Sequence, residues 1–209
     1  MNPEFGGSQE SKKTPESSYQ EAIVPSFSMA VVKAIESSYI EREDDNVVAL
    51  VDIDGAFLED DRMKIPFLSH IYDPIISDEN KASLLNLVSS FEGSVGIITN
   101  RASRDNPLWN TGKVFGKVKN FLESSEINIE VYKSLLRQFP FLKMGDTQRL
   151  IQYLGDKVLK CEDKVLNIYS IEDWSIASPN RRAFYNYISK EIEDRYGGVL
   201  RVKNFVIKR

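Results

Sequence analysis

Apolar positions along this chain fall into two recurring patterns. The first is the short unbroken run: Val47-Val48-Ala49-Leu50-Val51, Val95-Gly96-Ile97-Ile98, Ile129-Glu130-Val131-Tyr132 and Val165-Leu166-Asn167-Ile168-Tyr169. Such runs mark strands buried on both faces, as in parallel sheets. A longer stretch, Val199 to Ile207, alternates more and suits an edge strand. The second pattern is the helical stripe. Leu84, Leu85, Val88 and Phe91 form one, opened by Ser77 as N-cap with Asp78 and Glu79 at the positive helix end. Val114, Phe115, Val118, Phe121 and Leu122 form another, and Leu150, Ile151, Leu154 and Val158 a third. The fourth comprises Phe184, Tyr187, Ile188, Glu191 and Ile192, between Ser178-Pro179 and Gly197-Gly198. Strands near 47–52, 95–99, 129–132, 165–171 and 199–207 alternating with helices predict an α/β fold. Its sheet is doubly wound, mainly parallel, five-stranded and Rossmann-like, with helices on both faces.

Ahead of this series the pattern fades. Residues 1–25 are rich in Ser, Glu, Lys, Gly and Pro, too polar to offset ordering entropy, and are expected to be a disordered lead. Residues 26–45 carry Phe27, Val31, Ala34 and Ile35 at helical spacing, then an acidic loop from Glu41 to Asp45. The division expected is therefore lead 1–25, accessory helix and loop 26–45, and α/β domain 46–209.

Composition narrows the chemistry. Of 209 residues 42% are hydrophobic and 28% charged, and 27 Lys+Arg against 31 Asp+Glu give a net charge of −4. That balance does not indicate nucleic-acid binding, which favours a basic face. The single Cys161 precludes an internal disulfide, and the single His70 leaves little material for His-based metal clusters or Ser-His-Asp catalysis. Apolar runs fall far short of the ~20 residues a membrane span needs. Glu4, Glu10 and Glu16 without an apolar core do not suit a targeting peptide, so a reducing, cytoplasmic setting and no membrane partner are expected. Chemistry must come from carboxylates, hydroxyls and cationic side chains.

Those residues collect at strand ends. The first strand of the domain ends in Val51-Asp52-Ile53-Asp54-Gly55-Ala56-Phe57, two carboxylates spaced i, i+2 before a glycine that permits a turn. The second ends in Thr99-Asn100-Arg101, a hydroxyl, an amide and a cation suited to phosphate oxygens. The fourth ends in Glu172-Asp173, an acidic pair able to complete a Mg²⁺ site, since that ion takes oxygen ligands and usually one or two carboxylates. Doubly wound folds bind ligands outside the carboxyl ends of their strands.

In this order the three features resemble the haloacid-dehalogenase-like superfamily of phosphohydrolases, over roughly residues 46–195, with VALVDIDGAF and GIITNR the most specific pieces. The resemblance implies Asp52 as nucleophile, Asp54 as general acid/base, Thr99 as phosphoryl ligand and Lys143 as its neutralising cation. It implies Mg²⁺ held by Asp52, the Asp54 carbonyl and Asp173, with Glu172 as a possible fourth donor, and substrate contacts from Thr99, Asn100 and Arg101. It also implies a phosphorylated substrate. Residues 58–76 are too few for a cap domain, so the site is expected to be open and suited to a macromolecular phosphoester. Two departures matter. Ala56 stands where the family usually has Thr, and Ala177 where the fourth motif usually has a second acid or amide. They support an alternative, a catalytically impaired domain serving as a binding or scaffold module. A phospho-receiver would need its acceptor at the end of the third strand, where Tyr132-Lys133 stands.

Overall fold

The computed structural model describes residues 17–41, 46–58, 75–99, 111–133, 145–173 and 175–208, with the side chains of 41, 54, 111–115, 133, 145 and 146 excepted. Its elements are β1 (Ser18–Val24), α1 (Phe27–Glu41), β2 (Val47–Asp52), a single π-turn (Ile53–Phe57), α2 (Asp78–Ser90), β3 (Val95–Thr99), α3 (Thr111–Ser124), β4 (Val131–Lys133), α4 (Gly145–Val158), β5 (Val165–Glu172), α5 (Pro179–Tyr196) and β6 (Val199–Ile207). The strands form one parallel sheet in the order β1-β6-β5-β2-β3-β4.

Chain order explains where a site can form. From β2 the chain winds outward through β3 to β4, then returns to lay β5 on the other side of β2. Strand order therefore reverses between β2 and β5, the point at whose carboxyl ends doubly wound folds bind ligands. Asp52 ends β2 and Glu172 ends β5. The two strands pair directly, with Leu50 opposite Ser170 and Val51 opposite Ile171.

Burial on both faces accounts for the unbroken apolar runs. Alternate side chains of β2 divide between two clusters: Val47, Ala49 and Val51 join α1, α2 and α3, while Val48 and Leu50 join α4 and α5. The expected caps form: Ser77 accepts from the Asn80 amide at 3.2 Å and Ser178 from the Arg181 amide at 3.3 Å. Gly197, at φ 64°, closes α5 in the left-handed conformation that glycine adopts without strain.

Two expectations are corrected. Part of the presumed lead, Ser18–Val24, is a sixth strand paired in register with Arg201–Ile207 of β6. Composition fails here because an edge strand gains much of its stability from backbone pairing, not from its own apolar content. Only Val24 is buried, while Tyr19 and Ala22 are half-buried. In consequence β6 is an interior strand rather than the edge. The accessory helix does form, as α1, and buries Phe27, Ala30, Val31 and Ala34. No helix among the described residues is long and apolar enough to cross a membrane.

Candidate functional site

Side-chain alternation sets which groups meet at the reversal point. Asp52 continues the Val48–Leu50 face of β2, and Ser170 and Glu172 continue the Leu166–Ile168 face of β5, so all three point toward α5. There they meet Arg181 and Tyr185, both on the buried stripe of α5.

Arg181 is the hub. Its side chain is 1% exposed, its Nη2 lies 3.3 Å from Asp52 Oδ2, and its Nε faces Glu172 Oε2 in a second ion pair. Asp52 and Glu172 are themselves 2% and 0% exposed. Burial alone would lower the guanidinium's pKa, but the charges of Glu172 and Asp52 outweigh it and hold Arg181 above its ordinary value. Glu172 also accepts from Tyr185 and Ser170 hydroxyls, each at 2.5 Å, and Tyr185 lies 2.6 Å from Ser170. Burial, then the Glu172 charge, pushes the Tyr185 phenol well up, so it stays protonated as a donor.

The second acidic strand end meets the turn after β2. Gly55 has φ 73°, and a Cβ built there would collide with the Asp173 carboxylate. The Asp-x-Asp-Gly turn and Asp173 are thus in contact, and only glycine fits between them. The turn closes by the Leu58 amide donating to the Ile53 carbonyl at 3.0 Å, the wider i→i+5 bond of a π-turn. Gly55→Ala combines a disfavoured φ with this collision. It is expected to cost about 1–3 kcal/mol, read by denaturant unfolding.

Of the residues anticipated from sequence, Asp52, Glu172 and Asp173 come together, and Thr99 lies fully buried at the end of β3, beside β2. The backbone of Asp54 lies in the π-turn, and its side chain falls outside the described residues. Asn100, Arg101 and Lys143 also lie outside them, as do His70 and Trp174. Ala56, where the family usually has Thr, is fully buried in the α1–α2 cluster with Phe57 and Leu84. A hydroxyl there would enter an apolar core, so the small side chain suits its packing.

Sequence reasoning missed Arg181, Tyr185 and Ser170. One signal was available. Arg181 stands four residues before Tyr185, seven before Ile188 and eleven before Ile192, so it sits on the apolar stripe where a cation is buried only with partners.

Among the described residues no three acidic, His or Cys side chains form a metal cluster. Asp52 and Asp173 nonetheless supply hard oxygen donors, and the Asp54 backbone carbonyl belongs to the π-turn that meets Asp173 at Gly55. Two carboxylates, a carbonyl and waters match Mg²⁺ in donor type and number. Glu172 does not join that set, because Arg181, Tyr185 and Ser170 engage it.

A hollow of about 430 Å³ lies away from this site, toward the amino ends of β1, β6 and β5, lined by Ser18, Gln20, Asn167, Arg201 and Lys203. No family model, curated protein or solved structure matches the chain. What fold and site define is a doubly wound parallel α/β protein with a buried, arginine-bridged acidic centre at its reversal point.

Proposed function

We propose that the chain is a Mg²⁺-dependent phosphohydrolase acting on a phosphomonoester through an aspartyl-phosphate formed on Asp52. The observation that carries this reading is the meeting of Asp52, the Gly55 turn and Asp173 at the β2/β5 reversal, with a buried cation on Asp52. A carboxylate attacks an anionic phosphate only where positive charge offsets the repulsion. Mg²⁺, when held by Asp52, Asp173 and the Asp54 carbonyl, would supply Lewis-acid charge at the phosphoryl oxygens. Arg181 supplies a fixed charge from the protein, which supports a share in the neutralising role otherwise assigned to Lys143. It holds the Asp52 carboxylate in a buried ion pair.

In the proposed sequence an Asp52 oxygen attacks phosphorus, the ester P–O bond breaks, and the departing oxygen takes a proton from Asp54. Asp54 then accepts a proton from water, which attacks the same phosphorus and releases inorganic phosphate and free Asp52.

One observation favours the second reading, a binding or scaffold module. Arg181 already pairs with both Asp52 and Glu172, as a purely structural ion bridge would. Turnover of an aryl phosphate with and without Mg²⁺, beside calorimetric Mg²⁺ binding, decides between them. Mg²⁺-dependent turnover is expected. Its absence across a broad ester panel, with no Mg²⁺ binding, would leave the module.

A further inference from the structure

We infer that β1 is a working support of the acidic site and that Glu21 is a positioning residue for it. Only the turnover arm of its test rests on the phosphohydrolase reading.

Glu21 lies in register with Asn204 of β6, which pairs with Ser170 of β5, which pairs with Leu50 of β2. Glu21 therefore stands on a line that crosses the sheet to the reversal point. Its carboxylate reaches the segment between β5 and α5. There it accepts the Ile176 amide at 2.7 Å and the Ser175 hydroxyl at 2.9 Å to either oxygen. The loop's own bonds extend the grip. Ala177 donates its amide to Ser175 Oγ at 3.0 Å, Ser178 donates its amide to the Ser175 carbonyl at 2.9 Å, and Ser178 caps α5 at the Arg181 amide.

Each end of that loop carries a site residue. Asp173, against Gly55, begins it, and Arg181, on Asp52 and Glu172, follows it by one helical turn. Fixing Ile176 therefore fixes the separation between an acid and its cation. A carboxylate just before the first turn of α5 is also favoured by the helix's positive end.

A second anchor from the same strand acts in parallel. The Tyr19 hydroxyl lies 3.0 Å from Ser189 Oγ on α5, and the Tyr19 ring lies 6.4 Å from that of Tyr185, the donor to Glu172. Glu21 thus holds the loop and Tyr19 braces the helix. A strand that merely extended the sheet would need neither contact, because backbone pairing alone would hold it.

The test uses the full chain and its Glu21→Ala and Glu21→Gln variants, with three readouts. In Glu21→Ala, exchange of the Ile176 amide is expected to quicken about tenfold, the loss of one charge-assisted bond. The Arg181 Nε–H resonance should shift, while amides of β2 and β3 exchange at the wild-type rate. On an aryl phosphate, kcat should fall about tenfold with KM little changed, since a displaced group costs the transition state most. Glu21→Gln, which keeps one acceptor oxygen, should fall between wild type and Glu21→Ala in each readout. Unchanged Ile176 exchange or an unmoved Arg181 resonance would overturn the inference. So would uniform quickening across the sheet, which would make Glu21 a residue of general stability, or an unaltered kcat in an active enzyme. If the wild type turns over no ester, the phosphohydrolase reading fails by itself, and exchange and resonance still decide the role of Glu21.

Discussion

Arg181→Met is expected to destabilise the fold by about 3–5 kcal/mol, the range found when one partner of a buried ion pair is removed. Typical domains have only about 5–15 kcal/mol in all, so the loss should be visible as a large drop in denaturant midpoint. Burial decides the size. Lys33–Glu36, at 2.9 Å, is a shorter pair than Arg181–Asp52, yet its side chains are 52% and 57% exposed. Water screens such pairs to about 0–1 kcal/mol. Asp52 and Glu172 have almost no water to return to, so without the guanidinium two carboxylates face each other's field across neighbouring strands. Arg181→Lys keeps the charge but concentrates it at one point that cannot bridge both carboxylates, and should lose less. Pairing Arg181→Met with Glu172→Leu removes one stranded charge and should recover part of the loss. A single Arg181→Met variant within about 0.5 kcal/mol of wild type would show that the acids do not depend on it.

This hub also shows what the sequence made legible. β2, β3 and β5 were readable because each is buried on both faces, which leaves continuous apolar runs such as Val47–Val51, whereas the run at 129–132, expected to be buried on both faces as well, belongs to the edge strand β4. The caps at Ser77 and Ser178 were readable because capping is local chemistry. β1 was not, since Ser18, Gln20, Glu21 and Ile23 are exposed and its stability comes from pairing with β6, a partner about 180 residues away in the chain. On α5 the apolar stripe is as expected at Phe184, Ile188 and Ile192 and differs at two positions. Tyr187 and Glu191 are only half-buried, whereas Arg181, Phe184, Tyr185, Ile188 and Ile192 face the core. An arginine at the head of a stripe reads as a polar boundary until its two buried partners, 129 and nine residues away, are brought to it by the fold.

The candidate site divides along the same line. Asp52 and Thr99 end strands and Asp173 directly follows one, so all three could be marked from the sequence, because strand ends follow from the runs before them. Glu172 was marked for the same reason, but adjacency to Asp173 hid a difference in facing. Successive residues leaving a strand point to opposite faces, so Glu172 turns to Tyr185 and Ser170 while Asp173 turns to Gly55. A paired motif in sequence is therefore two separate groups in space, one held by Arg181, Tyr185 and Ser170 and one set against the Gly55 turn.

Asp52→Asn is expected to abolish turnover, since an amide can neither form an acyl-phosphate nor lend its charge to Mg²⁺. Removing one carboxylate from an acidic cluster would by itself relieve repulsion. The buried Arg181 reverses that sign. Asp52 is compensated by a guanidinium Nη2 at 3.3 Å, so neutralising it removes an attraction. The variant should be less stable than wild type, by about 1 kcal/mol because the amide oxygen still accepts from Arg181 and Glu172 still balances its charge. That is far less than the cost of losing Arg181 itself. The two effects separate cleanly: turnover gone with unfolding only slightly eased identifies Asp52 as the nucleophile. Residual turnover in Asp52→Asn near the wild-type rate would refute that assignment, whatever its stability. An Asp52→Asn variant more stable than wild type would show that carboxylate repulsion outweighs the arginine, and that the Arg181 bridge is weaker than its burial requires.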